Sequence, residues 1–277
     1  AAGINLDAIA AASKNDENIV RVKSEGYSMD VVDATDLSIN QNEMGHSPAL
    51  VRGVLAGFKK YGYKIGGFDA TTASRVIAGS GLSSSAAYEV LVGTMVNYLY
   101  NDGKVDAVTI AKIAQYAENE YFGKPCGLMD QMACSVGGFV TIDFNDPKNP
   151  VIEEVDFDFA KCGHSLCIVD TKGSHSDLTD EYAAIRTEME SVAEFFGKKV
   201  LREVSEEEFK SKIRELRTAV GDRAILRAMH FYADNARVLK EVDALRGGDF
   251  ETFKKYILES GASSYKYNCL LYTSPSP

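Results

Sequence analysis

Residues 79–87 read GSGLSSSAA, a stretch that follows one predicted element and opens another. A strand is expected from Phe68 to Val76 before it, and a helix from Leu82 to Tyr100 after it. Glycine lets the backbone approach a phosphate closely, and the free N–H groups at the start of a helix favour an anion. Serine hydroxyls can donate to phosphate oxygens, so the stretch predicts a phosphate-binding loop. A tight turn with serine caps is the alternative, because short glycine motifs are weak signals.

The full stretch is more specific than its glycines alone, and it is not a Walker A loop because no Gly-Lys-Ser/Thr follows. It resembles the second signature motif of the GHMP kinases, a family that includes galactokinase, homoserine kinase and mevalonate kinase. In that family the loop wraps the phosphates of ATP and its last serine binds Mg²⁺. The resemblance therefore implies ATP and Mg²⁺ as cofactors, with Ser85 as a magnesium ligand. The implied ATP-binding positions are Gly79, Ser80, Gly81, Leu82, Ser83, Ser84 and Ser85.

A second informative stretch is CGLMDQ at residues 126–131. Asp130 lies there among apolar and small residues. Its carboxylate is either a base positioned against a substrate hydroxyl or a helix-capping or ion-paired group. The stretch resembles the active-site segment of galactokinases. That resemblance implies that Asp130 is the catalytic base and also contacts the sugar, as does the backbone of Gly127.

Glu118 lies upstream of Asp130, in a helix predicted from Val105 to Tyr121. On a helical wheel it flanks the apolar face, although a solvent-exposed helix charge is the ordinary interpretation of a glutamate. The resemblance to galactokinases implies that Glu118 is the second protein ligand of Mg²⁺. Oxygen ligands from one serine and one glutamate, completed by phosphates and waters, suit this hard cation.

Two further positions are implied by the same resemblance. Tyr182 matches a tyrosine that contacts the sugar, but it also begins the apolar stripe of a helix, for which core packing is the alternative. Ser24 falls where some galactokinases contact the nucleotide, and a surface serine is the alternative. The sequence departs from the family at Ile77, where a proline is usual, and at Ser174, where many relatives carry an arginine. If that arginine tunes the base in relatives, Lys172 is the candidate to do so here.

The composition is that of an ordinary globular protein. The 277 residues are 45% hydrophobic and 25% charged, which is enough chain for two domains with cores. A net charge of −10 argues against a nucleic-acid or anionic-membrane partner, and no apolar run is as long as a membrane span. The five cysteines lack CxxC spacing, so reduced thiols in a cytoplasmic protein are expected. The expected partners are small molecules, which the resemblance specifies as galactose and ATP.

The order of the predicted elements indicates an α+β protein. Strands are predicted from Ile19 to Val22 and from Ser165 to Asp170, while the last third of the chain is mainly helical. Ser205 and Glu208 have the spacing of a capping box at the start of one of these helices. A helix with apolar residues at helical spacing is expected to end at Gly197.

The resemblance implies a two-domain GHMP kinase fold. An N-terminal ATP-binding domain of the ribosomal-S5-domain-2-like α/β type is expected over residues 1–172, and a truncated ferredoxin-like domain over residues 173–267. Residues 268–277 are expected to be an unrelated tail. The family's first motif, of the type GRxNxxGEHTDY, and its third, glycine-rich motif are absent. The chain is therefore expected to be a fragment that transfers phosphate poorly or not at all.

The function implied by the resemblance is phosphorylation of the C1 hydroxyl of galactose by ATP. Another GHMP sugar kinase, such as an N-acetylgalactosamine kinase, is an alternative that shares much of the CGLMDQ segment. A regulator that binds galactose and ATP without turnover is a second alternative. A plain α/β interaction module is a third, but it leaves the order and spacing of the two motifs unexplained.

Overall fold

A computed structural model of the chain describes residues 1–76, 81–146, 149–167, 169 and 179–268. By its contacts the chain divides into two compact units, Ala1–Ile142 and Asp143–Pro277. This division falls earlier in the chain than the boundary expected near residue 172. Since residues 170–178 lie outside the described part, the boundary at residue 172 stays a prediction.

The first unit is built on a four-stranded sheet with the order β1-β4-β2-β3. Its strands are β1 (Ala8–Lys14), β2 (Ile19–Ser24), β3 (Met29–Asp33) and β4 (Phe68–Ser74). The central strands β2 and β4 are parallel, with Val20 opposite Phe68, and each edge strand runs antiparallel to its neighbour. Val20 and Val22 are buried while Arg21 between them points away from the core, which is the alternation of a half-buried strand. The strands predicted at Ile19 and Phe68 are confirmed.

Helices cover one face of this sheet. They are α1 (Ser47–Lys60), α2 (Ser84–Tyr100), α3 (Ala107–Tyr116) and α4 (Met129–Val136), and strand β5 (Phe139–Asp143) follows them. Apolar residues of β2, β3, β4, α1, α2 and α3 form a single core in which Phe58 and Phe68 are fully buried. Burying side chains of this size stabilises a fold by about 1.5–3 kcal/mol each. The helix predicted to start at Leu82 is confirmed, although it begins at Ser84.

The helix predicted from Val105 to Tyr121 is interrupted. Its α-helical part ends at Tyr116, and the chain continues as a π-helical turn, Ala117–Phe122, that stops at Gly123 with a positive φ of 83°. Helix α1 packs closely on this turn, because a Cβ added to Gly53 would lie 2.7 Å from Ala117 Cα. The absence of a side chain at Gly53 therefore lets two backbones approach beside Glu118.

The second unit is mainly helical in its described residues. After β6 (Val151–Val155) its longer helices are α5 (Thr179–Phe195), α6 (Glu206–Ser211), α7 (Ile213–Val220), α8 (Asp222–Arg246) and α9 (Phe250–Ser263). The helix expected to end at Gly197 is confirmed, and Ser205 Oγ caps α6 by accepting from Glu208 N at 3.1 Å. The strand predicted at Ser165 is wrong for 165–167, which have no regular structure. Their exposure leaves them without the burial that would favour a strand.

The apolar core of the second unit is formed by residues of α5, α6, α7 and α8, together with the turn at residues 201–204. A fully buried arginine, Arg227, lies in α8. Its Nη1 pairs with Glu188 of α5 at 2.8 Å. Among the described helices, none combines the length and the apolar composition needed to cross a membrane.

Candidate active site

A cavity of about 690 Å³ lies in the first unit. It is lined in part by Asp7, Gly81, Leu82, Ser83, Met129 and Asp130. Its volume is in the range of about 300–1,000 Å³ that is typical of small-molecule sites. The glycine–serine stretch and the CGLMDQ segment, which lie far apart in the sequence, therefore meet at one concave surface.

Ser83 joins these two segments through its side chain. It precedes α2 with φ 59° and ψ 45°, a left-handed conformation that costs a residue with a Cβ roughly 1–2 kcal/mol. Ser83 Oγ donates to Asp130 Oδ2 at 2.7 Å. Asp130 is in the first turn of α4, where the helix dipole favours a negative charge. The carboxylate is exposed to the cavity and accessible to a substrate hydroxyl.

Ser85 and Glu118 form the second pair of predicted site residues that the structure brings together. Ser85 Oγ, in the first turn of α2, lies 3.0 Å from Glu118 Oε1 in the π-helical turn. Adjacent oxygens in an octahedral Mg²⁺ shell with bonds of about 2.1 Å are about 3 Å apart. The two oxygens therefore fit neighbouring positions of such a shell. Among the described residues, no group of three or more His, Cys, Asp and Glu is arranged to hold a metal, so phosphate and water oxygens would have to complete it.

The Glu118 carboxylate is almost completely buried, with 2% of its side chain exposed. Lys124 Nζ lies 3.1 Å from Oε1, and Gln131 Nε2 donates to Oε2 at 2.8 Å. Burial acts to lower the pKa of Lys124, but the hydrogen bond and the charge of Glu118 outweigh it, and the pKa is raised. Glu118 is thus not the solvent-exposed helix charge that the ordinary interpretation favours.

A second buried carboxyl group, Glu89, lies behind this pair. The same Gln131 Nε2 also lies 3.3 Å from Glu89 Oε2. Burial, and next the charge of Glu118, raise the pKa of Glu89 to about 8. Glu89 Oε1 and Gln131 Oε1 have no hydrogen-bond partner among the described residues. Glu89 is therefore mainly protonated at neutral pH.

Sequence reasoning missed Glu89, Gln131 and Lys124. The sequence did contain an indication of Glu89, because this residue is an acid within an otherwise apolar helix. It also follows Ser85 by one helical turn, which places both residues on one face of the helix. Gln131 is adjacent to the predicted base. No pattern of sequence indicated that Lys124 would reach back to Glu118.

The segment before α4 is fixed by polar contacts of its backbone. Cys126 N donates to Asn119 Oδ1 at 2.7 Å, and Cys126 O accepts from Gln115 Nε2 at 3.2 Å. Gly127 follows in this segment and is exposed, with open space where a side chain would be. A backbone contact from Gly127 to a sugar is sterically feasible and stays a prediction.

Ser24 lies at the end of β2 and is not among the described lining residues of the cavity. Its Oγ accepts from Thr72 Oγ1 at 2.9 Å. The positions Gly79 and Ser80 lie outside the described residues, as do Ile77, Lys172 and Ser174. Tyr182 belongs to α5, but its side chain is not among those described. The roles implied for all of these residues stay predictions.

Residues 49–138 match the family model described as GHMP kinases N terminal domain. The match contains Ser83, Ser85, Glu118 and Asp130, which are the residues that the structure joins in pairs. Residues 49–138 are therefore similar to the N-terminal domain of the GHMP kinases.

Curated proteins that the chain resembles include galactokinases. The chain is 32% identical over 259 residues to the galactokinase of Streptomyces coelicolor, covering 92% of this chain and 65% of the relative. It is 35% identical over 222 residues to the galactokinase of Thermotoga petrophila, covering 79% of this chain and 60% of the relative. The chain thus spans less than two thirds of the length of these relatives.

A solved structure supports the fold. The galactokinase of Lactococcus lactis complexed with galactose superposes with a TM-score of 0.75, covering 96% of this chain and 69% of that chain. At 23% identity this likeness bears on the fold alone. The α+β GHMP kinase fold expected from the sequence is confirmed.

Proposed function

We propose that the protein is a sugar kinase that transfers the γ-phosphoryl group of ATP to the C1 hydroxyl of galactose. The observation that carries the proposal is the 2.7 Å contact between Ser83 of the glycine–serine stretch and Asp130. It supports the proposal because Ser83 and Asp130 line the same cavity. Phosphoryl transfer requires mainly the positioning of donor and acceptor and the neutralisation of charge, and this juxtaposition supports the positioning.

The described residues 81–85 at the start of α2 would bind phosphate oxygens through backbone N–H groups and serine hydroxyls. Ser85 and Glu118 would hold Mg²⁺, which, when bound, neutralises charge on the phosphates. Lys124 would have to leave Glu118 Oε1 to make room for it. The nucleotide and metal sites are thus adjacent on α2.

Asp130 would accept the proton of the C1 hydroxyl while the hydroxyl oxygen of the sugar bonds to the γ-phosphorus. The bond between that phosphorus and the oxygen bridging to the β-phosphate would break, and ADP would leave with the electron pair. Gly127 and Tyr182 are proposed to contact the sugar. The similarity to relatives named galactokinase supports galactose rather than N-acetylgalactosamine as the substrate. A cytoplasmic location stays a prediction.

The test uses the 277-residue chain with the fluorescent analogue TNP-ATP, galactose and γ-³²P-labelled ATP. We expect ATP to displace TNP-ATP. We also expect the chain to melt at a higher temperature with ATP and galactose together than with ATP alone. With enzyme in excess over labelled ATP, the slow transfer to galactose expected of this chain should fall further, by about 100- to 10,000-fold, in Asp130→Asn. TNP-ATP affinity should be unchanged in that variant. Failure of the chain to bind either ligand, or equal transfer by Asp130→Asn, contradicts the proposal.

A further inference from the structure

Lys124 pairs with the buried Glu118 on the oxygen that the proposed metal site uses. Its Nζ lies 3.1 Å from Glu118 Oε1, and the same Oε1 accepts from Ser85 Oγ at 3.0 Å. A carboxylate oxygen engaged by an ammonium group and a hydroxyl has little room for a third close ligand. The ammonium of Lys124 and a divalent cation therefore compete for one place.

The two partners of this ion pair differ in their freedom to move. The side chain of Lys124 is 62% exposed, whereas that of Glu118 is 2% exposed. The backbone N–H groups of Gly123 and Lys124 both donate to the carbonyl oxygen of Glu118 at 3.1 Å. Because the backbone is anchored while the lysine side chain is long and flexible, the ammonium can leave without displacing the carboxylate.

The carboxylate itself is held in place from its other side. Gln131 Nε2 donates to Glu118 Oε2 at 2.8 Å and lies near Glu89 Oε2. This amide keeps the orientation of Glu118 independent of whichever cation occupies Oε1. A buried carboxylate left without a cation is strongly unfavourable, so a positive charge at Oε1 stabilises the ionised form of Glu118.

We propose that Lys124 is the resident counter-cation of Glu118 in the metal-free protein and gives way to the divalent cation. The inference rests on the metal site proposed at Ser85 and Glu118. Competition with Lys124 weakens binding of the free metal ion. The phosphates of a bound nucleotide provide additional ligands for the metal ion, which then displaces Lys124 from Glu118. The metal therefore binds together with the nucleotide rather than before it.

The experiment measures Mn²⁺ binding to the nucleotide-free chain by the electron paramagnetic resonance signal of free Mn²⁺. Lys124→Met removes the charge and keeps much of the length, and Lys124→Arg is the matched control that keeps the charge. Because a competing cation is removed, Lys124→Met should bind Mn²⁺ about 10-fold more tightly than the wild type, which corresponds to about 1.4 kcal/mol, and Lys124→Arg should not. An unchanged Mn²⁺ affinity in Lys124→Met overturns the inference.

A second measurement guards against a folding defect and separates the two proposals. Lys124→Met should melt at a lower temperature than the wild type in EDTA and recover in MgCl₂, while equal melting in both buffers also overturns the inference. Adding Glu118→Gln to Lys124→Met should abolish the tighter Mn²⁺ binding. If the double variant still binds Mn²⁺ tightly, the metal does not lie at Glu118, and the proposed metal site falls together with the role of Lys124. If Lys124→Met gains no affinity but the double variant binds Mn²⁺ more weakly than Lys124→Met, the metal site at Glu118 stands and Lys124 alone loses its role.

Discussion

Ser83 Oγ donates a hydrogen bond of 2.7 Å to Asp130 Oδ2, which ties the start of α2 to the start of α4. The donor is in a left-handed conformation that few residues other than glycine adopt. The acceptor is exposed at the cavity. The hydroxyl thus orients the proposed base, at the cost of backbone strain at Ser83.

Replacing Ser83 separates its hydrogen bond from its backbone strain. Ser83→Ala loses the bond and keeps the strain, whereas Ser83→Gly loses the bond and relieves the strain. We expect the glycine variant to be more stable than the alanine variant by about 1 kcal/mol, measured by urea unfolding. Both should transfer phosphate more slowly than the wild type. An alanine variant as stable as the glycine variant would show that position 83 is not strained.

Gly53 is expected to tolerate no side chain. A Cβ at this position would lie 2.7 Å from both Cα and Cβ of Ala117, so Gly53→Ala forces α1 away from the π-helical turn. Overpacking of this kind costs about 1–3 kcal/mol, measurable as a lower urea midpoint by circular dichroism. The control is Gly261→Ala in α9, where nothing lies within 4 Å of the added atom. This control should be neutral or stabilising by up to about 1 kcal/mol, and equal losses in the two variants would contradict the packing argument.

Glu89 is expected to make the folded protein less stable as the pH rises. Burial raises the pKa of Glu89 to about 8, above its value in the unfolded chain, so the folded state keeps a proton that the unfolded state has lost. The stability linked to this proton is complete at acidic pH. It is lost between about pH 5 and pH 8, by up to about 1.4 kcal/mol per pH unit.

Glu89→Gln cannot titrate and should lack this slope. The measurement is the free energy of unfolding by urea, in EDTA and at several pH values. The quantity compared at each pH is the value for the wild type minus the value for the variant. The subtraction cancels His230, whose pKa is lowered by burial and which titrates in both proteins. Charged groups near Glu89 are Glu118, Lys124 and Asp130, and all remain in the variant. Parallel pH profiles for the two proteins would rule out a raised pKa at Glu89.

The buried Arg227 is expected to depend on Glu188. Arg227 is fully buried and its Nη1 lies 2.8 Å from Glu188, so Glu188→Ala leaves a buried charge without its close partner. Losses of about 3–5 kcal/mol follow from such changes. The matched control on the same helix is Glu190→Ala, whose partner Arg186 is 82% exposed, and it should cost no more than about 0.5 kcal/mol. Thermal unfolding of both variants gives the comparison, and similar melting temperatures would refute the prediction.

The sequence predicted those parts of the fold and site where a local pattern carries the information. The turn chemistry before Ser84 and the alternation around Val20 were sufficient for α2 and β2. The pairing of Ser83 with Asp130 depended on a family resemblance, because residues so far apart in the chain have no joint local signal. Helix α1 was missed although its apolar residues recur at helical spacing.

The features that could not be predicted depend on tertiary packing. The π-helical turn at Ala117 has an ordinary helical pattern, and only the close approach of Gly53 and the contacts of Glu118 distinguish it. Glu89 is apparent as a buried acid only when Gln131 and Glu118 are seen beside it. The reach of Lys124 back to Glu118 follows from the turn at Gly123, whose exact geometry no propensity specifies.

The π-helical turn Ala117–Phe122 also determines how the site responds to a change in chain length. A π-helical turn holds an additional residue compared with an α-helical one. Deleting a single residue there would restore α-helical winding and leave the segments on either side close to their present orientation. A one-residue deletion within the α-helical part of α3 has no such compensation and would rotate everything beyond it by about 100°. Among homologues, a one-residue gap within α3 is therefore a stronger sign of altered activity than a gap at this turn.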